Sequence, residues 1–455
     1  MNRPRRVSER IVTSGFALIL LAAVSVHGSE ALVFDLEEAS AVDLAKLKSA
    51  FRTGLRCLCS EAADAEVTAY PVFASQKPLY GSVRFGSDPH KADSGTRFCF
   101  AVDESGGTDK GYDRLYFDAN RNLDLTDDGV LARVPDPPGQ MLLSGASIQQ
   151  QACFECIGIP LTFGSEGTRP LEVMPRLIVY EGDRRYVAFV TTKGRFGKIT
   201  VAGQTFDVLL GHNNLIAGWF DHPQTALHLI GPSNRDRGYT WWSGDRLMAI
   251  HKIGHTFYRF AATPAGDKLT VRPHDGPLGT LEVGPADRNV RTMAMRGSLQ
   301  SEDTAVPVGN VLNNGTQEPT RLWRLPVGDY APRLLDLEYG DLRITLSNNY
   351  HADGRPRGGT TRPPVYGIEI RADKPFVFDF FNTPEVMFAQ PAKGQRVRRG
   401  EQLTIKAVLI DPVLDFMIRG LSYRREGGPS VSLAPKVTIA RANGTAVAEG
   451  ALPFG

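Results

Sequence analysis

From Tyr70 onward the chain is written in short alternating runs of apolar and polar residues, cut at close intervals by Gly, Pro, Asn and Asp. No other feature constrains the fold as much. A period of two puts one face of a strand on a core and the other toward solvent, and the breakers between runs make turns. "RLIVYEGDRRYVAFVTT" (176–192) reads as two strands joined at "EGD", and "KITVAGQTFDVLL" (198–210) as a hairpin turning at Gly203. "RLMAIHKIGHTFYRFAATPAGDKLTVRP" (246–273) continues the meander. Asn443-Gly444 is expected to form a two-residue type I′ turn, which needs positive φ at both positions. Only "AVDLAKLKSAFRT" (41–53) carries apolar residues near helical spacing. The predicted fold class is mostly β, with multidomain antiparallel sheets and β-sandwiches and one short N-terminal helix after a signal peptide.

A chain of 455 residues is too long for one ordinary core. Shifts in composition divide it into 1–29, a β-rich unit over 30–170, a β meander over 171–300, a sandwich over 301–387 and a last β unit over 388–455. "GSLQSEDTAVPVGNVLNNG" (297–315) is polar and turn-rich, as a linker or long loop would be. Lys plus Arg number 52 against 50 Asp plus Glu, and a net charge of +2 gives no footprint for nucleic acid or a polybasic membrane anchor.

The first residues set the expected compartment. "MNRPRRVSER" is basic, "IVTSGFALILLAAVSV" (11–26) is apolar or small throughout, and "HGSE" returns to polar with small residues at Gly28 and Ser29. That order is the order of a secretory signal. The apolar run is shorter than the roughly 20 residues a spanning helix needs. The chain is expected to be exported to the periplasm, cell surface or extracellular space, with no membrane span after cleavage. Its five cysteines form a C-x-C pair (Cys57, Cys59), a C-x-x-C pair (Cys153, Cys156) and a lone Cys99. Structural disulfides suit an oxidising compartment. Four thiolates from the two pairs would alternatively suit tetrahedral zinc.

One stretch asks for chemistry. In "YDRLYFDANRNLDLTDDG" (112–129) a strand-like run ends at Phe117. Asp118, Asn120, Asn122 and Asp124 then occupy every second position, and Asp127 and Asp128 follow. Four carboxylates so close together repel one another unless water screens them or a cation sits among them. On a tightly curved loop, alternate residues turn their oxygens inward, and hard oxygens suit Ca²⁺. The bland reading is a solvated Asn/Asp turn. Other candidates are weaker. In "HKIGH", His251 and His255 are spaced like half of a zinc protease motif, but Gly254 and the strand context argue for a hairpin. "GYTWWSGD" holds Tyr239, Trp241 and Trp242, which would serve as core and rim packing or as a sugar-stacking surface. "GHNNLIAGWFD" (211–221), with Asn213, Asn214 and Asp221, follows a strand as the first loop does but carries too few oxygens for an ion.

The Asp118 loop resembles the ion-binding loops of EF-hand and dockerin-type proteins, D-x-[DN]-x-[DN]. The resemblance implies side-chain ligation by Asp118, Asn120 and Asn122 and a backbone carbonyl from Asp124. It departs in two places: Leu123 stands where that family has Gly, and Gly129 where it has Glu, so Asp127 or Asp128 must supply the closing carboxylate. "LPVGDY" (325–330) resembles the strand entry of prealbumin-like sandwich modules, and the last unit is similar in rhythm to immunoglobulin-like domains. Strand-then-loop phrases resemble a recurrent arrangement in exported bacterial β proteins. The expectation is a calcium-binding scaffold or binding protein that meets an unknown protein or a glycan at the cell surface, without catalysis. The alternative is a secreted carbohydrate-active hydrolase whose carboxylate pair is spatial and not sequential.

Overall fold

The computed structural model describes residues 30–40, 54–86, 95–108, 111–135, 148–162, 168–181, 184–212, 218–223, 225–231, 245–283, 293–301, 304–308, 322–339, 341–347, 367–378, 383–391, 394–398, 400–411, 416–424 and 428–452. The chain is all β there: no helix occurs among the described residues, and so none that could cross a membrane. The signal-like segment 1–29 and the expected helix at 41–53 lie outside them.

Strands Gly54–Leu58, Arg185–Thr191, Thr168–Tyr180, Ile148–Phe154, Val130–Val134, Arg114–Phe117, Thr96–Asp103 and Leu79–Phe85 lie side by side in that order, each antiparallel to its neighbour. A further strand, Ile157–Thr162, also pairs with Thr168–Tyr180. Ser60 and Tyr80 exchange both backbone hydrogen bonds, at 2.9 and 2.8 Å. The chain just past the first strand therefore meets the last one, and the sheet closes into a barrel. Alternation fills it: Phe98, Phe100 and Val102 point inward, while Cys99 and Ala101 point outward beneath Val67, Tyr70, Phe73 and Leu125. Phe189 sits at the centre of the interior, with Phe85, Phe100 and Phe117 around it at ring separations of 5.6, 5.5 and 5.8 Å. Gly81 makes room for this packing, since a Cβ there would lie 2.4 Å from the Phe100 ring.

The second module is a sandwich. Leu32–Asp35, Lys268–Pro273, Thr256–Ala262 and His251–Ile253 form one sheet. Asp245–Arg246, Ala226–Ile230, Gln204–Gly211, Lys193–Val201 and Glu37–Ser40 form the other. Leu36, at the bend between the first strand of each sheet, is buried with Phe206, Leu229, Phe260 and Val271 between them. Val201 pairs with Gln204 across Ala202 and Gly203, whose φ values of 50° and 72° make the tight primed turn that hairpins favour. Asn443-Gly444 takes a different course. Only Gly444 has positive φ, and the turn is closed by Gly444 N to Arg441 O and Arg441 N to Thr445 O. The expected two-residue type I′ turn is thus a three-residue loop, a turn followed by one left-handed glycine.

In the third module, Leu322–Pro326, Leu278–Val283 and Phe376–Phe378 pack on a larger sheet. The latter runs Ala305–Val308, Met293–Gln300, Gly328–Tyr339, Leu342–Ser347, Phe416–Arg424, Lys406–Asp411 and Glu385–Gln390. The pairing of Leu278–Val283 with Phe376–Phe378 is parallel. In "LPVGDY", Tyr330 is buried and its hydroxyl donates to Pro326 O at 3.1 Å, tying the strand entry to the chain four residues upstream. Two strands beyond it, Lys436–Ala440 and Ala446–Ala451, pair only with each other among the described residues and are largely exposed. Part of the expected linker is ordered sheet: Ala305, Val306 and Val308 are buried and pair with Gln300, Leu299 and Gly297. The apolar letters of "AVPV" outweigh their polar surroundings.

Hydrogen bonding crosses the expected divisions. Residue 170 lies inside Thr168–Tyr180, Gln300 ends a strand paired with Gly328–Tyr339, and residues 387 and 388 lie inside Glu385–Gln390. A protease site placed within 309–321 and cleaved should therefore leave two fragments that co-elute under native conditions. Pairing of Met293–Gln300 with Gly328–Tyr339 and of Leu278–Val283 with Leu322–Pro326 bridges the cut. Separation without denaturant would show that these pairings do not hold the halves.

His212, His228 and His251 are buried, and burial pushes their pKa values down to about 3, 4 and 3 from 6.5. Below the ordinary value the unfolded chain binds protons that the folded chain refuses. The stability these groups contribute is complete above it and is lost as pH falls toward the folded values. Each lowers the folded-to-unfolded ratio by about tenfold per pH unit in that window. Melting temperature should be flat above about pH 7 and fall steeply between about pH 6 and pH 4.5. A flat profile through that window would mean that the histidines take up protons in the folded state.

Candidate functional site

Strand Arg114–Phe117 lies in the barrel wall, with Leu115 and Phe117 in the interior core. The next residue, Asp118, is 1% exposed, and its amide donates to Cys99 O at 3.0 Å. Its carboxylate organises the turn: Oδ1 accepts from Asn122 N at 3.0 Å and Oδ2 from Leu123 N at 3.2 Å. A ladder of side-chain acceptors follows. Asn120 Oδ1 accepts from Asn122 N, Asn122 Oδ1 from Asp124 N and Asp124 Oδ1 from Thr126 N, at 2.9, 2.8 and 2.8 Å. Such Asx turns explain why Asn and Asp occupy alternate positions.

Leu123 has φ 63° and Arg121 φ 61°. A left-handed residue other than Gly costs on the order of 1–2 kcal/mol. The backbone at Leu123 therefore has the conformation for which an EF-hand loop uses Gly, although the residue differs. Packing offsets the cost. Leu123 is partly buried against Val67, Cys99, Tyr116 and Leu125, and Leu125 is 0% exposed. A strap crosses from before the barrel's last strand: Thr68 N and Oγ1 donate to Leu123 O at 2.7 and 2.9 Å, and Leu125 N donates to Ala69 O at 3.0 Å. Arg97 holds the same strap through Asp64 and Glu66. Nothing local in the sequence announces these anchors.

Asp127 and Asp128 close over the loop in different ways. Asp127 Oδ2 accepts from Asn122 Nδ2 at 2.7 Å and Asn120 Nδ2 at 3.3 Å. Asp128 Oδ1 accepts from Ala119 N at 3.3 Å, while its Oδ2 is buried with no hydrogen-bond partner. Burial, then the negative charges of Asp118, Asp127 and Asp124, raises the Asp128 pKa. No Lys or Arg pairs with Asp118, Asp127 or Asp128 among the described residues, and the nearby Arg121 guanidinium lies 5.9 Å from the Phe98 ring centroid. Asp124 differs: its carboxylate turns to the Thr126 amide and hydroxyl, and those hydrogen bonds lower its pKa. The site thus gathers Asp118, Asn120, Asn122, Asp127 and Asp128, and leaves Asp124 to offer a backbone carbonyl. A Cβ at Gly129 would meet nothing within 4 Å, so no side chain closes the loop from there.

For a hard cation the donor set has one condition. Among the described residues no three His, Cys, Asp or Glu side chains are grouped to hold a metal. A cation here depends on the Asn120 and Asn122 oxygens, each of which keeps a second lone pair beside its Asx bond.

No disulfide joins any of the five cysteines in the structure, contrary to the disulfide expectation. Cys57 and Cys59 pack against the barrel interior, where burial pushes both pKa values up to about 12. Strand Ile148–Phe154, which carries Cys153, lies three places around the wall from Gly54–Leu58, roughly 14 Å at normal strand spacing. The two pairs therefore cannot share a zinc ion. In "HKIGH", His251 is buried, His255 exposed, and Gly254 (φ 62°) turns the hairpin between them. Asn213, Asn214, Tyr239, Trp241 and Trp242 lie outside the described residues.

Comparison of the chain with family models, with curated proteins and with solved structures finds no match. Fold and loop therefore define only a class: an all-β chain of a closed barrel and sandwiches, with an Asx-ladder loop on the barrel wall.

Asp118→Ala should lower stability with or without metal ions, because the amides of Asn122 and Leu123 lose an acceptor, at a cost of roughly 1–3 kcal/mol. Thermal melting in chelator measures this. An unchanged melting temperature would show that the loop backbone does not rely on Asp118.

Proposed function

We propose that this chain is an exported calcium-binding protein of the periplasm, cell surface or extracellular space, acting as a scaffold or binding component without catalysis. The signal-like N-terminus supports export. The observation that carries the calcium reading is Asp128 Oδ2, buried and unpartnered among like charges, with no cation among the described residues paired to neutralise them. Calcium would be held by Asp118, Asn120, Asn122, Asp127 and Asp128 with the Asp124 carbonyl, and would relieve the repulsion among the carboxylates. The left-handed backbone at Leu123 adds support, because it gives the loop the curvature that such a coordination shell needs.

The hydrolase alternative has one observation in its favour. Glu38 and Glu172 both approach Lys193, whose Nζ lies 3.1 Å from Glu38 Oε1 and 3.7 Å from Glu172 Oε2. Glycoside hydrolysis needs one carboxylic acid free to lend a proton. An ammonium bridging both carboxylates suits holding a ligand better.

Calcium should raise the melting temperature relative to chelator. For a dissociation constant of about 0.1–1 mM, tenfold excess contributes on the order of 1.4 kcal/mol. Magnesium should do less, because it demands octahedral geometry and sheds water reluctantly. Asp127→Asn and Asp128→Asn should each reduce the calcium-dependent shift while leaving the Asp118 hydrogen bonds intact. Identical wild-type melting in chelator and in millimolar calcium would leave a solvated turn.

A further inference from the structure

The chain passes from barrel to sandwich at Thr192, where Arg185–Thr191 ends in one sheet and Lys193–Val201 begins in another. The crossing leaves a cleft of about 240 Å³, with Glu172 on the barrel side and Glu38, Lys193, Arg195, His212 and Phe220 on the sandwich side. We propose that this cleft binds one ring of a neutral, polyhydroxylated ligand, a saccharide unit of a glycan.

The argument starts from charge. Two carboxylates face one ammonium and one guanidinium, and Lys193 bridges the two glutamates. An anion would meet Glu38 and Glu172, and a cation would meet Lys193 and Arg195, so either must disrupt pairs already made. A neutral polyol breaks none. Ionised carboxylates offer about four lone-pair sites each, so Glu172 can hold Thr192 Oγ1 at 2.5 Å and still accept from ligand hydroxyls. Lys193 supplies donors in return. Size agrees, since drug-sized ligands fill about 300–1,000 Å³ and this cleft is smaller.

The walls are held in place before any ligand arrives. Gly218 has φ 109°, and a Cβ there would lie 2.0 Å from Leu161 Cδ1, so the barrel's Leu161 seats directly on the sandwich backbone. Gly218 N donates to His212 Nδ1 at 3.0 Å, and the His212 ring packs 4.3 Å from Phe220. His212 is 5% exposed and stays neutral, with its hydrogen on Nε2. A rigid, partly apolar floor with polar groups at the rim is the usual build of a small-ligand site.

The proposal deepens the binding-protein reading by naming a partner class, and rests on it only for the compartment. Measuring in chelator keeps the two separable, because failure of calcium binding would leave the cleft unchanged. Saturation-transfer NMR and calorimetry on the full chain would use glucose, galactose, mannose, N-acetylglucosamine, their β-linked disaccharides and glucuronic acid. At least one should bind, and Glu172→Gln and Lys193→Met should each weaken it by about tenfold or more. Gly158 of the barrel strand Ile157–Thr162 also lines the cleft, and Gly158→Phe should block binding with little change in melting, because a Cβ there meets nothing nearer than Pro170 Cβ at 3.9 Å. No binding by the wild type would overturn the proposal, as would binding that survives Gly158→Phe. Preference for a uronic acid that is lost in Lys193→Met but kept in Glu172→Gln would also overturn it, in favour of an anion site.

Discussion

Two backbone hydrogen bonds between Ser60 and Tyr80 decide what the first module is. Without them the sheet from Gly54–Leu58 to Leu79–Phe85 would have two open edges, each a template for unwanted pairing. With them it is a ring, and a ring has an inside. The inward phenylalanines then have one place to go, and Phe189 becomes the hub of an aromatic core instead of one face of a layer. Closure also fixes the course of the chain between its two partners: residues 61–78 must run over the outer wall, where Val67, Tyr70 and Phe73 cover Cys99 and Ala101. That strap is what the Asp118 loop leans on.

Local features were legible in the sequence where they depend on a few neighbouring residues. The hairpins at 176–192 and 198–210 were readable because alternation and a glycine suffice to place them. The Asx spacing was readable for the same reason: each side chain bonds an amide two residues on. What escaped was non-local. Nothing in "EVTAY" says that Thr68 and Ala69 will hold Leu123 and Leu125. A leucine gives no hint of a left-handed backbone, which here follows from Asp118 and the packing beneath it. The Asn443-Gly444 signal was strong for a turn but weak for its type. The divisions drawn at 170 and 387 followed composition, whereas strand pairing follows partners brought from far along the chain.

Cysteine pattern misled in an instructive way. C-x-C and C-x-x-C suggest disulfides or a zinc site, yet alternation puts Cys57 toward the barrel interior, and three strand spacings separate its strand from that of Cys153. Burial holds the Cys57 and Cys59 thiols protonated, which makes them packing residues. The polar cleft where Lys193 meets Glu38 and Glu172 left no such pattern in the sequence. Its residues come from widely separated stretches, brought together where the chain leaves a barrel strand at Thr191 and enters a sandwich strand at Lys193.

That crossing has a topological meaning. Glu37–Ser40 and Lys193–Val201 are neighbours in one sheet, with Ser40 directly opposite Lys193, although the whole barrel intervenes between them in sequence. The barrel is thus a guest, threaded through a hairpin loop of its host. Both of its ends leave at one spot, so the host sandwich could be closed by a turn of a few residues and would keep every strand it now has. The guest needs no strand from the host to complete its ring. Such an arrangement gives each module a core of its own, while Leu161 and Trp219 tie the two together beside the cleft at their junction.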